Sequence, residues 1–357
     1  MRVPQCPNGG LTLIPMPGFE DQARAVAKAI EKFSKKSGKQ FTPVDIKIPV
    51  FGKRSSGEPF LQFDKQHVGG HDCIIIGSGP GTWEMLGMLN LLLRYTAGRR
   101  ARRIALSLGY FPLCRSDKDE GELEFSLPQY YIEQMVQSAN TTRKHLDRII
   151  TVDMHAPQMV MAGPTGLITE LSLVRLVLMR AITDILANNE RFCILCPDAS
   201  AYKRIKRILK AIALELGIKL SVAMGNKERE SSEDVSLDDL VGDTEQLKGA
   251  TALSVDDEMA TAKTNLLSAT RVKEAFGARK VYSVVTHGIF CDPATDRLSA
   301  PGCAIDRVYA TDTIPVSMRP HLQPLVDTGR LVILEWAKEL GISLYHHHWD
   351  LSIRNIR

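Results

Sequence analysis

Short, continuously apolar runs recur along the chain, separated by longer stretches of helical periodicity. That alternation limits the fold more than any other feature. Leu11–Pro15, Cys73–Ile76, Arg103–Leu108, Arg148–Val152, Phe192–Cys196, Leu220–Ala223, Ala250–Val255 and Lys280–Val285 read as strands. Between them, Glu20–Phe33 places Ala23, Val26, Ala27 and Ile30 on one helical face. Trp83–Tyr95, Gln129–Ala139, Leu171–Asn188, Tyr202–Leu216 and Lys263–Phe276 repeat at similar spacing. Strands without a polar face must be covered on both sides, and helices between them supply the cover. The chain is therefore expected to be α/β, with mostly parallel sheets flanked by helices.

At 357 residues the chain has room for two such domains. Each half holds a strand that ends in a polar turn opening a helix, a weak internal echo consistent with related domains. Forty-five basic and 41 acidic residues leave a net charge of +4, too mild for a nucleic-acid or membrane surface. No apolar run approaches the roughly 20 residues of a membrane span, and residues 1–30 lack the apolar core of a secretory leader. A cytoplasmic protein is expected. Seven cysteines, an odd number, suit a reducing compartment. Cys193 and Cys196 form a C-x-x-C inside a strand, where residues three apart face opposite ways, so packing is favoured over metal or redox chemistry.

Several polar turns follow strands, and the carboxyl ends of parallel strands are where open α/β sheets bind ligands. Gly77–Thr82 superficially suggests a dinucleotide loop, but Thr82 stands where the third glycine is needed, so a plain strand-to-helix turn is expected. Val255–Thr264 runs from a strand through Asp256 and Asp257 into a Thr261-x-x-Thr264 helix start. Those carboxylates could hold ribose hydroxyls above a helix N-terminus that binds phosphate, or simply cap the helix. His155 follows a strand in Thr151–Gln158. Asp198 precedes a helix whose first turn is basic at Lys203 and Arg204, which opposes the macrodipole unless an anion binds there. Thr286–Phe290 is another such turn. Asp117–Glu124 and Gly225–Asp239 are long charged segments, either solvated loops or binding lids. His346–His348 diverge in direction with no neighbouring acidic cluster in sequence, so a surface or packing role is expected.

In this order the segments resemble the phosphoribosyl pyrophosphate synthetases, or ribose-phosphate diphosphokinases. Tyr110–Lys118 is similar to the family's Y-x-R-Q-D-K block, Thr151–Gln158 to T-x-D-L-H-x-x-Q, and Pro197–Arg204 to P-D-A-G-G-x-K-R. Asn226–Arg229 resembles its D-K-R-R loop, Val255–Thr264 its D-D-x-x-D-T-G-G-T loop, Thr286–Pro293 T-H-G-x-F-x-x-P, and Thr311–Pro315 T-[ND]-T-I-P. The resemblance implies two phosphoribosyltransferase-like domains: an N-terminal one over 1–165, a C-terminal one over 166–340, and a segment 341–357 packing back on the first. It also implies transfer of the β,γ-diphosphate of ATP, with Mg²⁺, to the 1-hydroxyl of ribose 5-phosphate. Homo-oligomers built of dimers, up to hexamers, are implied as well. Carried over by position, Glu58, Arg115, Ser116, Asp117 and His155 would contact ATP, and Lys227 and Arg229 would stabilise the diphosphate in transit. Asp198, Asp256 and Asp257 would hold the ribose, and Thr261, Ala262, Lys263 and Thr264 its phosphate. His155 and Asp198 would stand nearest the metal.

The chain departs from the family pattern where phosphate should bind. Ala260 replaces the third aspartate, and Ala262-Lys263 replaces the glycine pair. Ser200-Ala201 replaces the pair after Asp198, and Ser116 replaces a glutamine. Near Glu58 the family's F-S-D-G-E has become Arg54-Ser-Ser-Gly-Glu58. Glycine lets backbone approach a phosphate closely and adopt positive φ. Three readings stay open: a ribose 5-phosphate enzyme, the same chemistry on a larger 5′-substituted ribose such as ADP-ribose, and a catalytically silent regulatory subunit.

Overall fold

A computed structural model of the chain describes residues 6–36, 40–63, 67–117, 126–141, 145–225 and 240–353. They fall into two compact units. One takes the chain up to Ser172 and again from Trp336; the other is Leu173–Glu335. No helix among the described residues is long and apolar enough to cross a membrane.

In the first unit the elements run β1 Leu11–Pro15, α1 Glu20–Lys36, β2 Val44–Ile46, β3 Val50–Lys53, β4 Pro59–Gln62, β5 Asp72–Gly77, α2 Trp83–Gly98, β6 Arg103–Leu108, α3 Leu127–Ala139, β7 Leu146–Val152 and β8 Ile168–Leu171. Six of the strands form one sheet in the order β2-β1-β5-β6-β7-β8, parallel throughout. β3 and β4 make a separate antiparallel hairpin. Every residue of β1 and β5 is buried, as continuously apolar strands covered on both faces require. Thr82 caps α2, its side chain accepting from Met85 N at 3.3 Å, so the glycine-rich stretch is a helix-opening turn.

The second unit runs α4 Val174–Ala187, β9 Phe192–Cys196, α5 Ala199–Leu216, β10 Val222–Gly225, β11 Leu240–Gly242, β12 Thr251–Met259, α6 Lys263–Phe276, β13 Lys280–Gly288, α7 Ala294–Ser299, β14 Arg307–Thr311, α8 Gln323–Asp327 and β15 Leu331–Leu334. Its seven-stranded sheet has the order β11-β10-β9-β12-β13-β14-β15 and is parallel except for the edge pair β10–β11. The α/β expectation is met in both units.

Three boundaries need correction. The helix expected from Leu171 starts at Val174, because Ile168–Leu171 is spent pairing with β7. β12 continues past Val255 to Met259, and β13 past Val285 to Gly288, because the two strands keep pairing through Glu258↔His287 and Met259↔Gly288. Cross-strand partners hold polar residues extended where single-chain pattern predicts a turn. Cys193 and Cys196 are buried in β9, and burial pushes their thiols up to about 11 and about 12, so neither is poised as a thiolate.

The chain then returns to the first unit as α9, Ala337–His348, which lies against α1. A Cβ on Gly341 would sit 2.7 Å from Ala29 Cβ and 3.2 Å from Ile30 N, so the helices touch backbone to backbone there. Tyr345 packs edge-on against Phe33, ring centroids 5.3 Å apart, and Trp349 Nε1 donates to Thr42 Oγ1 at 2.9 Å. The histidine run is a packing feature, yet carboxylates do gather around it in space. Asp72, fully buried, accepts from Arg103 Nε at 3.0 Å, Arg103 Nη2 at 2.6 Å and His348 Nδ1 at 2.8 Å. Arg103 also donates to Asp350 and to the His347 carbonyl, both at 2.7 Å. His347 Nε2 lies 4.0 Å from Asp72 and 3.8 Å from Asp147.

Burial alone would raise the Asp72 carboxyl, but the hydrogen bonds from His348 and Arg103 hold it below the usual carboxylate range. Burial drives His347 down to about 3. Unfolding frees His347 to take a proton anywhere between pH 3 and its ordinary 6.5. Stability is thus complete above pH 6.5 and falls as pH drops below it, and Asp72 adds a loss of the same sign at lower pH. From pH 7 to pH 5 the His347 share amounts to about 2 kcal/mol. Urea unfolding at the two pH values should show that loss in the parent chain and much less of it in His347→Gln. Equal pH dependence in both would refute the assignment.

Candidate active site

Parallel strands all leave their sheet at one edge, and in each unit most of the described candidate residues lie there, Glu58 excepted. In the first unit, the segments after β6 and β7 are neighbours because those strands pair. Arg115 is exposed, while Ser116 and Asp117 are half-buried behind the turn closed by Ser116 N donating to Leu113 O at 2.9 Å. His155 is exposed beyond β7. Gln158 Nε2 donates to Asp117 Oδ2 at 3.0 Å, which ties the Arg115–Asp117 and His155–Gln158 segments together. Glu58 stands on a different element, the turn of the β3–β4 hairpin, and its Oε2 accepts from Ser56 Oγ at 2.9 Å. Lys227 and Arg229 lie outside the described residues, as does most of the two charged segments.

In the second unit, β9, β12, β13 and β14 are consecutive in the sheet and deliver their carboxyl ends side by side. Asp198, just past β9, caps α5, its Oδ1 accepting from Ala201 N at 2.8 Å. Asp256 and Asp257, expected where the apolar strand ends, lie within β12, which runs on to Met259. Each folds back on the chain: Asp256 Oδ1 accepts from Asp257 N at 3.0 Å, and Asp257 Oδ1 from Glu258 N at 3.1 Å. The chain then turns at Ala260–Ala262 into α6. Ala262 has φ 61° and is buried, so an alanine occupies the left-handed conformation that favours glycine. Lys263 and Thr264 are exposed in the first helical turn, whose N–H groups have no partner within the helix. That geometry and the macrodipole suit an anion.

Further residues complete this edge; Asn265, Arg297 and Arg319 lie outside the motifs read from sequence, and the rest belong to the Thr286–Pro293 and Thr311–Pro315 blocks. Asn265 Nδ2 reaches Asp256 Oδ2 at 3.5 Å, linking the helix start to the strand carboxylate. His287 is buried, with Nδ1 2.9 Å from Thr313 Oγ1, and Thr311 Oγ1 donates to Thr286 O at 2.7 Å. These bonds join the Thr286–Pro293 and Thr311–Pro315 blocks. Arg319 binds backbone carbonyls of both blocks, at Ile289 and Ile314, and Arg297 binds the Thr261 carbonyl in the β12–α6 turn. Nothing in the sequence separates those two arginines from others on the surface.

Burial and the neighbouring Asp257 charge push the Asp256 carboxyl up, to about 8. Near neutral pH Asp256 therefore favours its protonated form, and a ligand that donates hydrogen bonds or brings positive charge would displace the proton. Among the described residues no group of three His, Cys, Asp or Glu is arranged to hold a metal. The donors along these edges, Asp117, Asp198, Asp256 and Asp257, are hard oxygens. Taken within each unit separately, such oxygens are the kind that Mg²⁺ takes while keeping most of its waters, and an imidazole such as His155 fits less well as a direct ligand.

A curated ribose-phosphate pyrophosphokinase of Chromobacterium violaceum is 30% identical over 272 residues, covering 74% of this chain and 75% of its own length. The chain belongs to the ribose-phosphate pyrophosphokinase family. It is thereby an enzyme of the diphosphotransferase class. A ribose-phosphate pyrophosphokinase of Deinococcus radiodurans is 27% identical over 273 residues, 75% of this chain and 78% of that one. Residues 221–332 match the family described as the phosphoribosyl synthetase-associated domain. The crystal structure of phosphoribosylpyrophosphate synthetase from Mycobacterium smegmatis superposes with a TM-score of 0.74, covering 96% of this chain and 99% of that one at 22% identity; it shares the fold.

The raised Asp256 carboxyl fixes a sign. A group that holds its proton more tightly when folded costs stability as pH climbs from its unfolded value of 3.8 toward 8. Asp256→Asn, which never ionises, should raise Tm by a few degrees at pH 8 and by less at pH 5. Scanning calorimetry at both values checks this, and a lower Tm at pH 8 would contradict the buried-acid reading.

Proposed function

We propose that this chain moves the β,γ-diphosphate of ATP to the anomeric hydroxyl of ribose 5-phosphate. The 1-oxygen of the sugar attacks the β-phosphorus, and the bond from that phosphorus to the oxygen bridging to the α-phosphate breaks. AMP leaves with that oxygen, and the hydroxyl proton is released. The observation that carries the reading is the β12–α6 turn. Asp256 and Asp257, a left-handed Ala262 and the open first turn of α6 stand together, so hydroxyl acceptors and a phosphate site lie within one turn of chain.

In this reading Asp198, Asp256 and Asp257 accept hydrogen bonds from ribose hydroxyls, and Thr261, Lys263, Thr264 and the N–H groups of the turn, Ala262 among them, hold the 5-phosphate. Glu58, Arg115, Ser116, Asp117 and His155 bind ATP, and Lys227 and Arg229 neutralise the transferring group. Mg²⁺, held by water and carboxylate oxygen with Asp198 and His155 nearest, would offset charge on the ATP phosphates. Phosphoryl transfer needs alignment and charge neutralisation more than covalent help, which suits a site made of acceptors, cations and backbone N–H groups. A cytoplasmic homo-oligomer belongs to the same proposal.

A second reading, a larger 5′-substituted ribose such as ADP-ribose, is favoured by Lys263. Its side chain is exposed at the helix start and can meet a second phosphate. AMP release from Mg-ATP, with ribose 5-phosphate or ADP-ribose supplied separately, decides between them. Turnover of ribose 5-phosphate is the expected result, turnover of ADP-ribose alone selects the second reading, and turnover of neither selects a silent subunit. Lys227→Ala should lower turnover by roughly 10³-fold, toward the lower end of the effect of a transition-state cation, with Tm unchanged. Near-parental activity would remove Lys227 from the reaction.

A further inference from the structure

Two guanidiniums grip main-chain carbonyls around the β12–α6 turn. Arg297, on α7, donates through Nη1 to Thr261 O at 2.8 Å. Arg319 donates through Nη1 to Gly288 O and, at 2.9 Å, to Ile289 O, and through Nη2 to Ile314 O. Its guanidinium carbon lies 5.9 Å from the centre of the Phe290 ring. Ile289 N and Phe290 N in turn donate to Met259 O at 2.9 and 3.1 Å. Arg297 thus holds the peptide entering Ala262, and Arg319, through 288–290, holds the residue at which β12 ends.

This arrangement is costly for a purely structural contact. Arg319 is only partly exposed, burial draws it down to about 10, its Nε has no hydrogen-bond partner among the described residues, and its bonded acceptors are neutral carbonyls. An apolar side chain could fill such space without taking a charge out of water. The turn it supports is itself unfavourable, since a left-handed alanine costs about 1–2 kcal/mol. Strain at Ala262 and a cation with no bonded counter-ion among the described residues are linked through the 288–290 segment that binds Met259 O, beside the place where the functional reading puts an anion. Turning the Thr261 carbonyl toward Arg297 commits that end of the peptide, so the N–H side of the turn is fixed as well.

We propose that Arg297 and Arg319 are positioning residues that hold the Met259–Lys263 turn in the conformation receiving the sugar's phosphate, with neither guanidinium serving as the phosphate ligand. The proposal rests on the assignment of this turn to the phosphate. The two arginines have different tasks. Arg297 serves one carbonyl, which a lysine can also reach. Arg319 spans carbonyls on two loops, which needs a planar fork that lysine lacks.

The experiment uses the full chain and two readouts. In steady-state AMP release, Arg297→Gln and Arg319→Gln should raise KM for ribose 5-phosphate about tenfold or more, with KM for ATP within twofold. Arg297→Lys should restore the parental value, and Arg319→Lys should not. Calorimetric binding of ribose 5-phosphate without ATP should follow the same order. Equal rises in both KM values, or parental ribose 5-phosphate affinity in a folded Arg319→Lys chain, would overturn the proposal, as would a parental chain that does not bind the sugar. If Arg297→Gln does not fold, the charge-keeping Arg319→Lys variant carries the test. Arginine-dependent sugar binding without AMP release would leave the brace standing and remove the proposed reaction.

Discussion

A parallel sheet can be continued only by carrying the chain back over its face, so every strand leaves at the same edge. The placement of the candidate site residues depends on that constraint. β9, β12, β13 and β14 are far apart in sequence, yet their ends form one continuous rim because they are neighbours in the sheet. The first unit does the same with β6 and β7, and the Gln158–Asp117 bond fastens the two segments beyond them. Loop length is free to vary, but a loop's starting point is fixed by the strand before it. That is how a divergent sequence keeps polar residues in register with one another.

Features carried by neighbours in sequence could be read directly. Continuous apolar runs marked the strands, and the residues just after them marked the rim: Asp198, Asp256, His155 and Thr261 were all found from local pattern. What stayed hidden was long-range. β12 and β13 run past their apolar cores because each pairs with the other, and no single-strand pattern contains that pairing. Asp72 and His348 are 276 positions apart, and nothing near either one announces a shared hydrogen bond. Arg297 and Arg319 were passed over because an arginine that binds carbonyls has the same one-letter signature as a solvated one.

Ala262 shows how substitution and conformation separate. Alanine in place of the family's glycine suggests a turn of ordinary shape, yet the backbone at Ala262 is left-handed. Conformation is then set by the surroundings rather than by local preference, with the Arg297 contact on one side and the start of α6 on the other. Sites tolerate such strain where several contacts over-determine the geometry. What has changed is the chemistry on offer, a buried methyl at Ala262 and an exposed ammonium at Lys263.

The return of α9 to the first unit has a consequence for biosynthesis. The face of α1 around Ala29 waits for a helix encoded beyond the whole second unit, and so does the acidic core group at position 72 for its imidazole partner. At roughly 5–20 residues per second, the ribosome needs on the order of ten to thirty seconds to bridge that gap. During that interval the earlier-made half carries an open apolar seam, a natural point of engagement for a chaperone, and the later-made half, contiguous in sequence, is positioned to fold first.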